Sequence, residues 1–184
     1  MSIRWERLFD DLEARLVADE ALDLAAEVAD RTRHERAQVG MAERLSAMRH
    51  GPPVVVEVAG LGRSVGSVLD VGADWVLLGP TPQRAVLAPF SALRSLSGLT
   101  GKAGTVSRVA RGFTCAAALR AISRDRAPVT VVDVGGARFT GTIDAVGQGI
   151  MDIAEHALDL PRRPENVREL RVLPLSALAA VVRD

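Results

Sequence analysis

Residues 53–79 recur, in cadence and partly in identity, 75 positions further along the chain. Laid over 128–154, the segment is identical at Pro53/Pro128, Val54/Val129, Val56/Val131, Gly60/Gly135, Arg63/Arg138, Gly66/Gly141, Val71/Val146 and Gly72/Gly147. Those are eight matches over 27 positions, where ordinary composition gives roughly two. A second block follows, in which Pro89-Phe90-Ser91-Ala92-Leu93 aligns with Pro174-Leu175-Ser176-Ala177-Leu178 at an offset of 85. Ten residues are therefore inserted in the second copy, between its third and fourth strands. A repeat of this size means one supersecondary unit folded twice.

The hydrophobic period identifies the unit. Val54, Val56 and Val58 alternate with Val55 and Glu57, the two-residue period of a strand. Arg63 to Val71, Trp75 to Leu78, Arg84 to Ala88 and Leu93 to Leu96 read as four further strands, separated by Gly-rich turns. Five short strands joined this tightly are expected to curl into a small barrel, which buries Val-rich faces and leaves few open edges. Gly60 and Gly135 are expected to supply positive φ in a turn, and Gly66 and Gly141 to let a strand bend sharply.

The first fifty residues have helical spacing instead. Trp5, Leu8, Phe9, Leu12 and Leu16 form one stripe, and Asp19 is placed to cap a second helix carrying Ala21, Leu24, Ala25, Val28 and Thr32. Gly40 is expected to break or bend that helix, and His50-Gly51-Pro52-Pro53 to stop the segment. Between the copies, 98–112 is rich in Gly, Ser and Thr and reads as a linker. Thr114 is placed to cap a helix running to about Arg124, which Ala127-Pro128 ends. The domain reading is a helical segment over 1–50, a first barrel over 51–97, a basic linker and short helix over 98–126, and a second barrel over 127–184.

Composition bounds the rest. Hydrophobic residues make up 48% and aromatics 3%, so the core is aliphatic. The excess of Arg, Ala and Val over Lys, which occurs once, at Lys102, points to a bacterial genome of high GC content. The N-terminus turns charged at once, which predicts a cytoplasmic protein with no membrane partner. Net charge is zero. Within that balance, residues 94–126 carry seven basic groups (Arg94, Lys102, Arg108, Arg111, Arg120, Arg124 and Arg126) against the single acid Asp125.

A helix followed by five strands, with glycines spaced as in Gly136-Ala137-Arg138-Phe139-Thr140-Gly141-Thr142-Ile143-Asp144-Ala145-Val146, resembles the Sm-like barrel family, in cadence its Hfq-like branch. Arg171 to Val181 resembles that family's closing pair of strands, and the ten-residue insertion falls at its variable loop. PRC-type barrels, usually adaptors, share the glycine cadence and the Pro before the last strand, as at Pro89 and Pro174. The Sm-like resemblance implies an RNA-binding fold, but the family's acidic residue after strand two falls on Gly72 and Gly147. Its basic pair near strand five falls on Phe90-Ser91 and Leu175-Ser176, so its nucleotide pocket is not carried over.

Each candidate site also has a plainer role. Lys102, Arg108, Arg111, Arg120 and Arg124 are suited to tracking phosphates, or to docking on the acidic N-terminal helices. Leu158, Leu160, Arg162 and Arg163 in the inserted loop are suited to a partner-binding tip, or to an ordinary solvated loop. Trp75 belongs to a core or to an exposed ligand face. No catalytic set emerges. His34, His50 and His156 lack metal-ligand spacing, Cys115 sits in an apolar helical run, and Gly98-Leu99-Thr100-Gly101-Lys102-Ala103 lacks both the first Gly and the hydroxyl residue of a phosphate loop. The expectation is a non-catalytic adaptor without cofactor or metal, assembling as a homo-oligomer with an unidentified protein partner. An RNA-binding regulator using the basic strip is the alternative, and a DNA-binding regulator a weaker one.

Overall fold

The structure, a computed structural model, describes residues 3–183, with the side chains of residues 3–12 and of Ala14 outside the description. Two units divide it. The first, Met1–Gly40, holds one helix, α1 (Ile3–Ala37). The expected cap at Asp19 does not interrupt it. No Gly or Pro falls between residues 3 and 37, so nothing in the backbone forces a break, and Asp19 sits in the helix interior. Gly40 does mark the boundary. The described apolar residues of α1, Leu16, Val17, Leu22, Leu24 and Val28, are exposed. Trp5, Leu8, Phe9 and Leu12, predicted to form the first stripe, lie outside the described side chains.

The second unit, Met41–Asp184, is mainly β. Its helices are α2 (Met41–Ser46), α3 (Arg108–Gly112) and α4 (Cys115–Asp125). Its strands are β1 (Val54–Val58), β2 (Gly62–Val71), β3 (Trp75–Thr81), β4 (Arg84–Pro89), β5 (Leu93–Ser97), β6 (Val129–Asp133), β7 (Arg138–Val146), β8 (Ile150–Glu155), β9 (Glu169–Pro174) and β10 (Leu178–Arg183). They form one antiparallel sheet in the order β5-β1-β2-β3-β4-β10-β6-β7-β8-β9. Instead of closing, this sheet has two ends, β5 and β9. The expectation of few open edges therefore meets a sheet whose only sealed junction between copies is the pairing of β4 with β10.

The repeat holds at the level of register. Val54 pairs with Gly66 as Val129 pairs with Gly141. A bulge falls between Val68 and Asp70 in β2, and its counterpart between Ile143 and Ala145 in β7, 75 residues on. The shift in β5 against β1, with Val58 opposite Leu93, returns in β10 against β6, with Asp133 opposite Leu178. A one-residue slip would turn each strand's buried face outward, so matching bulges mean both copies solve the same packing problem alike.

Two glycines show what the recurring positions are for. A Cβ on Gly66 would lie 2.9 Å from the Gly79 nitrogen, and one on Gly141 would lie 2.0 Å from the Ala154 carbonyl oxygen. Both strands run too close to their neighbours for a side chain. The turn glycines divide differently from expectation. Gly60 takes φ +66°, but in the second copy it is Gly136 that takes positive φ, at +94°. The Asp133 carboxylate accepts from Ala137 N at 2.9 Å and reshapes that turn, so the left-handed position moves by one residue.

Both linking helices end alike. His50 and Arg126 adopt φ +56° and +54° just before the Pro-containing starts of β1 and β6. Thr114 caps α4 through Ala117 N, as its sequence predicts, and Ser107 caps the short α3 through Ala110 N.

Burial resolves into two aliphatic clusters that cross the seam. The first joins Leu45, Met48, Val54, Val56, Val68 and Leu78 to Val132, Ala179 and Ala180 of the second copy. The second joins Leu119, Val131, Ile143, Met151 and Ile153 to Trp75 and Leu87 of the first. Each copy contributes to the other's core, and residues 41–184 form one compact unit.

Candidate interaction surfaces

The β4–β10 seam is the most elaborated region of the molecule. Leu87, Val86 and Ala85 pair with Val181, Val182 and Arg183. On one face of this junction α4 roofs a cavity of about 190 Å³ lined by Trp75, Leu87, Phe113, Ile122, Val129 and Val181. The Trp75 indole Nε1 donates to the Phe113 carbonyl at 2.8 Å, and the two rings meet edge to face with centroids 5.8 Å apart. The Asp74 carboxylate accepts from Cys115 N at 2.6 Å, fixing the start of α4. Trp75 is thus a core residue.

Cys115 faces the same region. Burial, with the negative charge of Asp74 second, pushes its thiol up to about 12. It stays protonated at neutral pH and is no nucleophile there.

The far end of the second copy carries the counterpart of the seam without its cover. Ile150, Asp152 and Ala154 of β8 stand opposite Pro174, Val172 and Leu170 of β9. Under the repeat, Leu170 and Val172 correspond to Ala85 and Leu87. Ala85 and Leu87 are 5% and 4% exposed, whereas Leu170 and Val172 are 71% and 59% exposed. Ile150, in the place of Trp75, is 42% exposed. An apolar strip on a strand with one open edge combines the two marks of a pairing edge. The other sheet end, β5, pairs only with β1. Sequence reasoning passed over Leu170 and Val172, which lie outside the aligned blocks 53–79/128–154 and 89–93/174–178.

The basic residues of the strip differ in their contacts. Lys102, Arg108, Arg111 and Arg124 are exposed. Arg120 donates through Nε to the Val146 carbonyl at 3.2 Å, and Arg126 lies 3.9 Å from the Asp144 carboxylate, so both are drawn onto β7. Arg120 and Arg126 of this region thus contact the second copy's own sheet. Phe113, the one aromatic near the strip, is engaged with Trp75.

The inserted loop is tied down at several points. Arg162 grips Asp144 with two bonds, from Nε at 2.8 Å and from its terminal nitrogen at 2.5 Å, and this pairing raises its guanidinium above the ordinary arginine value. His156 is buried, its Nδ1 2.8 Å from the Ala157 carbonyl and its Nε2 2.7 Å from the Thr142 hydroxyl. A carbonyl can only accept, so Nδ1 carries the proton and Nε2 accepts from Thr142. Arg171 binds Glu155 and Glu169 and stacks over the Phe139 ring at 4.5 Å. Of the residues predicted for a partner-binding tip, Arg162 serves the loop's own structure, while Leu158, Leu160 and Arg163 remain exposed.

Among the described residues no group of three His, Cys, Asp or Glu is placed to hold a metal ion, and no helix is long and apolar enough to cross a membrane. Comparison with protein-family models, with curated proteins and with solved structures gives no match for this chain.

Proposed function

We propose that this chain is a non-catalytic binding protein, an adaptor that works through protein contacts and is built on two tandem Sm-like five-stranded units in the cytoplasm. The carrying observation is the shared register of the two cassettes. Each runs 5-1-2-3-4 across its strands, each has the same two irregularities, and each follows a helix. Such a duplicated cassette devotes its residues to sheet edges and aliphatic packing. The two free edges and the apolar β8/β9 face are surfaces for another polypeptide. Fold alone does not assign a partner, so the reading rests on these surfaces.

RNA or duplex DNA binding through the basic strip is the competing reading. It is weakened by the contacts of Arg120 and Arg126 with β7 and by the edge-to-face engagement of Phe113 with Trp75. Purification of the untagged protein from its own cell, followed by titration with single-stranded RNA and duplex DNA at several salt concentrations, separates the two. The adaptor reading expects copurifying protein, no nucleic-acid absorbance and weak binding in the titrations. Tight binding that falls steeply with salt, and that is lost when Lys102, Arg108, Arg111 and Arg124 become Ala, would sink it.

A further inference from the structure

We propose that the cavity beneath α4 at the β4–β10 seam is a binding site for a small apolar carboxylate, a compound with one aromatic ring and an anionic end held by Arg183. The inference goes beyond the adaptor reading and uses none of the free sheet edges, so its failure leaves that reading standing.

Size and lining define the body of the ligand. The cavity holds about 190 Å³, and an apolar cavity of about 150 Å³ already admits benzene. Trp75, Leu87, Val129 and Val181 are buried in its wall, while Pro82, Phe113 and Ala121 are exposed where it meets solvent. Nothing polar inside awaits a partner. The Trp75 indole N–H is engaged by the Phe113 carbonyl, and among the described residues no buried side-chain nitrogen or oxygen lacks a hydrogen bond. The buried part of an occupant is therefore apolar. The chain has two Trp and four Phe, and one of each stands in this wall. Aromatic walls favour a ring, which adds edge and offset contacts to its burial.

Small residues keep the space open. On the helix side the wall is Ala118 and Ala121, with Ala127 just past the end of α4. Longer aliphatic side chains at these positions would close a void that destabilises a fold when empty. One charge completes the site. Arg183 is the only ionisable residue in the lining, and its strand is fixed at the seam by the pairing of Arg183 with Ala85. Its guanidinium meets the Asp125 carboxylate at 3.4 Å, with the two side chains 42% and 64% exposed. Such an exposed contact is weak and engages one nitrogen of a planar fork with five N–H donors. A carboxylate arriving from the cavity finds the remaining donors, and its charge stays at the solvent side while the ring is buried. An apolar pocket with one convergent polar group, set between two structural units, is the usual form of a small-molecule site.

Calorimetric titration of the full chain with phenylacetate, its neutral isostere phenylacetamide, and acetate tests the site. Phenylacetate should bind one to one with a dissociation constant between about 10 μM and about 1 mM, the range open to a ligand of about ten non-hydrogen atoms. It should also raise the thermal midpoint as its concentration rises. Phenylacetamide should bind at least about tenfold more weakly, and acetate should not bind measurably. Arg183→Ala should bring phenylacetate down to the level of the amide and leave the amide unchanged. Ala121→Phe, a change at an exposed position of α4, should abolish binding of both while circular dichroism and the thermal midpoint report an intact fold. No saturable binding of phenylacetate at about 10 mM overturns the inference. Binding that persists in Ala121→Phe overturns it too, because the ligand then sits elsewhere. Equal affinity for acid and amide, unmoved by Arg183→Ala, overturns the assignment of a carboxylate.

Discussion

The two cassettes share a backbone plan and differ in what covers it. In the first, the third and fourth strands lie under α4, and the position of greatest value to the roof is filled by Trp75, buried and hydrogen-bonded. In the second, the same position holds Ile150, and the neighbouring strand offers Leu170 and Val172 to solvent. The second copy carries instead an inserted loop fastened by Arg162, His156 and Arg171. Register is thus fixed by close-approach glycines and bulges that both copies keep. Side-chain identity is free to follow the local surroundings, and an edge acquires its character from its cover.

The sharpest way to break this comparison is to empty the equivalent positions in turn. Trp75→Ala should cost about 3–5 kcal/mol in urea denaturation, because it opens a roofed cavity and removes the indole's hydrogen bond to the Phe113 carbonyl. Ile150→Ala should cost no more than about 1 kcal/mol, being half uncovered. Equal losses would show that the two faces are covered alike. Next in size, Gly141→Ala should be more damaging than Gly66→Ala by about 1 kcal/mol or more, since the added carbon meets a carbonyl oxygen at 2.0 Å in the first and a nitrogen at 2.9 Å in the second.

The pH response of Cys115 tests the roof from inside. Below the ordinary thiol value of 9.0 the group is protonated in both folded and unfolded chains and contributes nothing to the pH dependence. Between there and about 12 the unfolded chain loses the proton while the folded chain keeps it, so stability should fall as pH rises through that window. A thiol reagent at pH 8 should accordingly react slowly with the native protein and fast after unfolding. Cys115→Ser should flatten the alkaline loss. Rapid labelling of the native chain would mean that α4 does not seal this face.

The smallest effect belongs to the inserted loop. Arg162→Ala should leave the thermal midpoint nearly unchanged yet speed cleavage by chymotrypsin near Leu158, since it removes the two-bond grip on Asp144 and loosens only the loop. Unchanged cleavage would mean the His156 and Arg171 contacts hold the loop without it.

Much of this was legible in the residues themselves. The ten strands, the Thr114 cap, the helix stops before Pro and the site of the insertion follow from period-2 runs, turn residues and the repeat. The continuous α1 was not, because a capping residue such as Asp19 signals a helix start only where something else ends the preceding helix. The open sheet was not either. Strand periodicity reports which face is buried but says nothing of which edge a strand will find, so the β4–β10 seam appears only in three dimensions. For the same reason a charge count gives no sign that Arg120 bonds the Val146 carbonyl or that Arg126 lies beside Asp144.

The matching bulges also bear on how the chain reaches its native state. Two segments that accept the same register can exchange partners during folding, β1 with β7 or β6 with β2, and produce a compact but crossed topology. Few of the aligned residues are identical, which lowers the affinity of such mispairings. Sequence divergence between the copies is therefore a folding device in its own right, and making the two cassettes more alike would slow refolding even where each substitution suited its site.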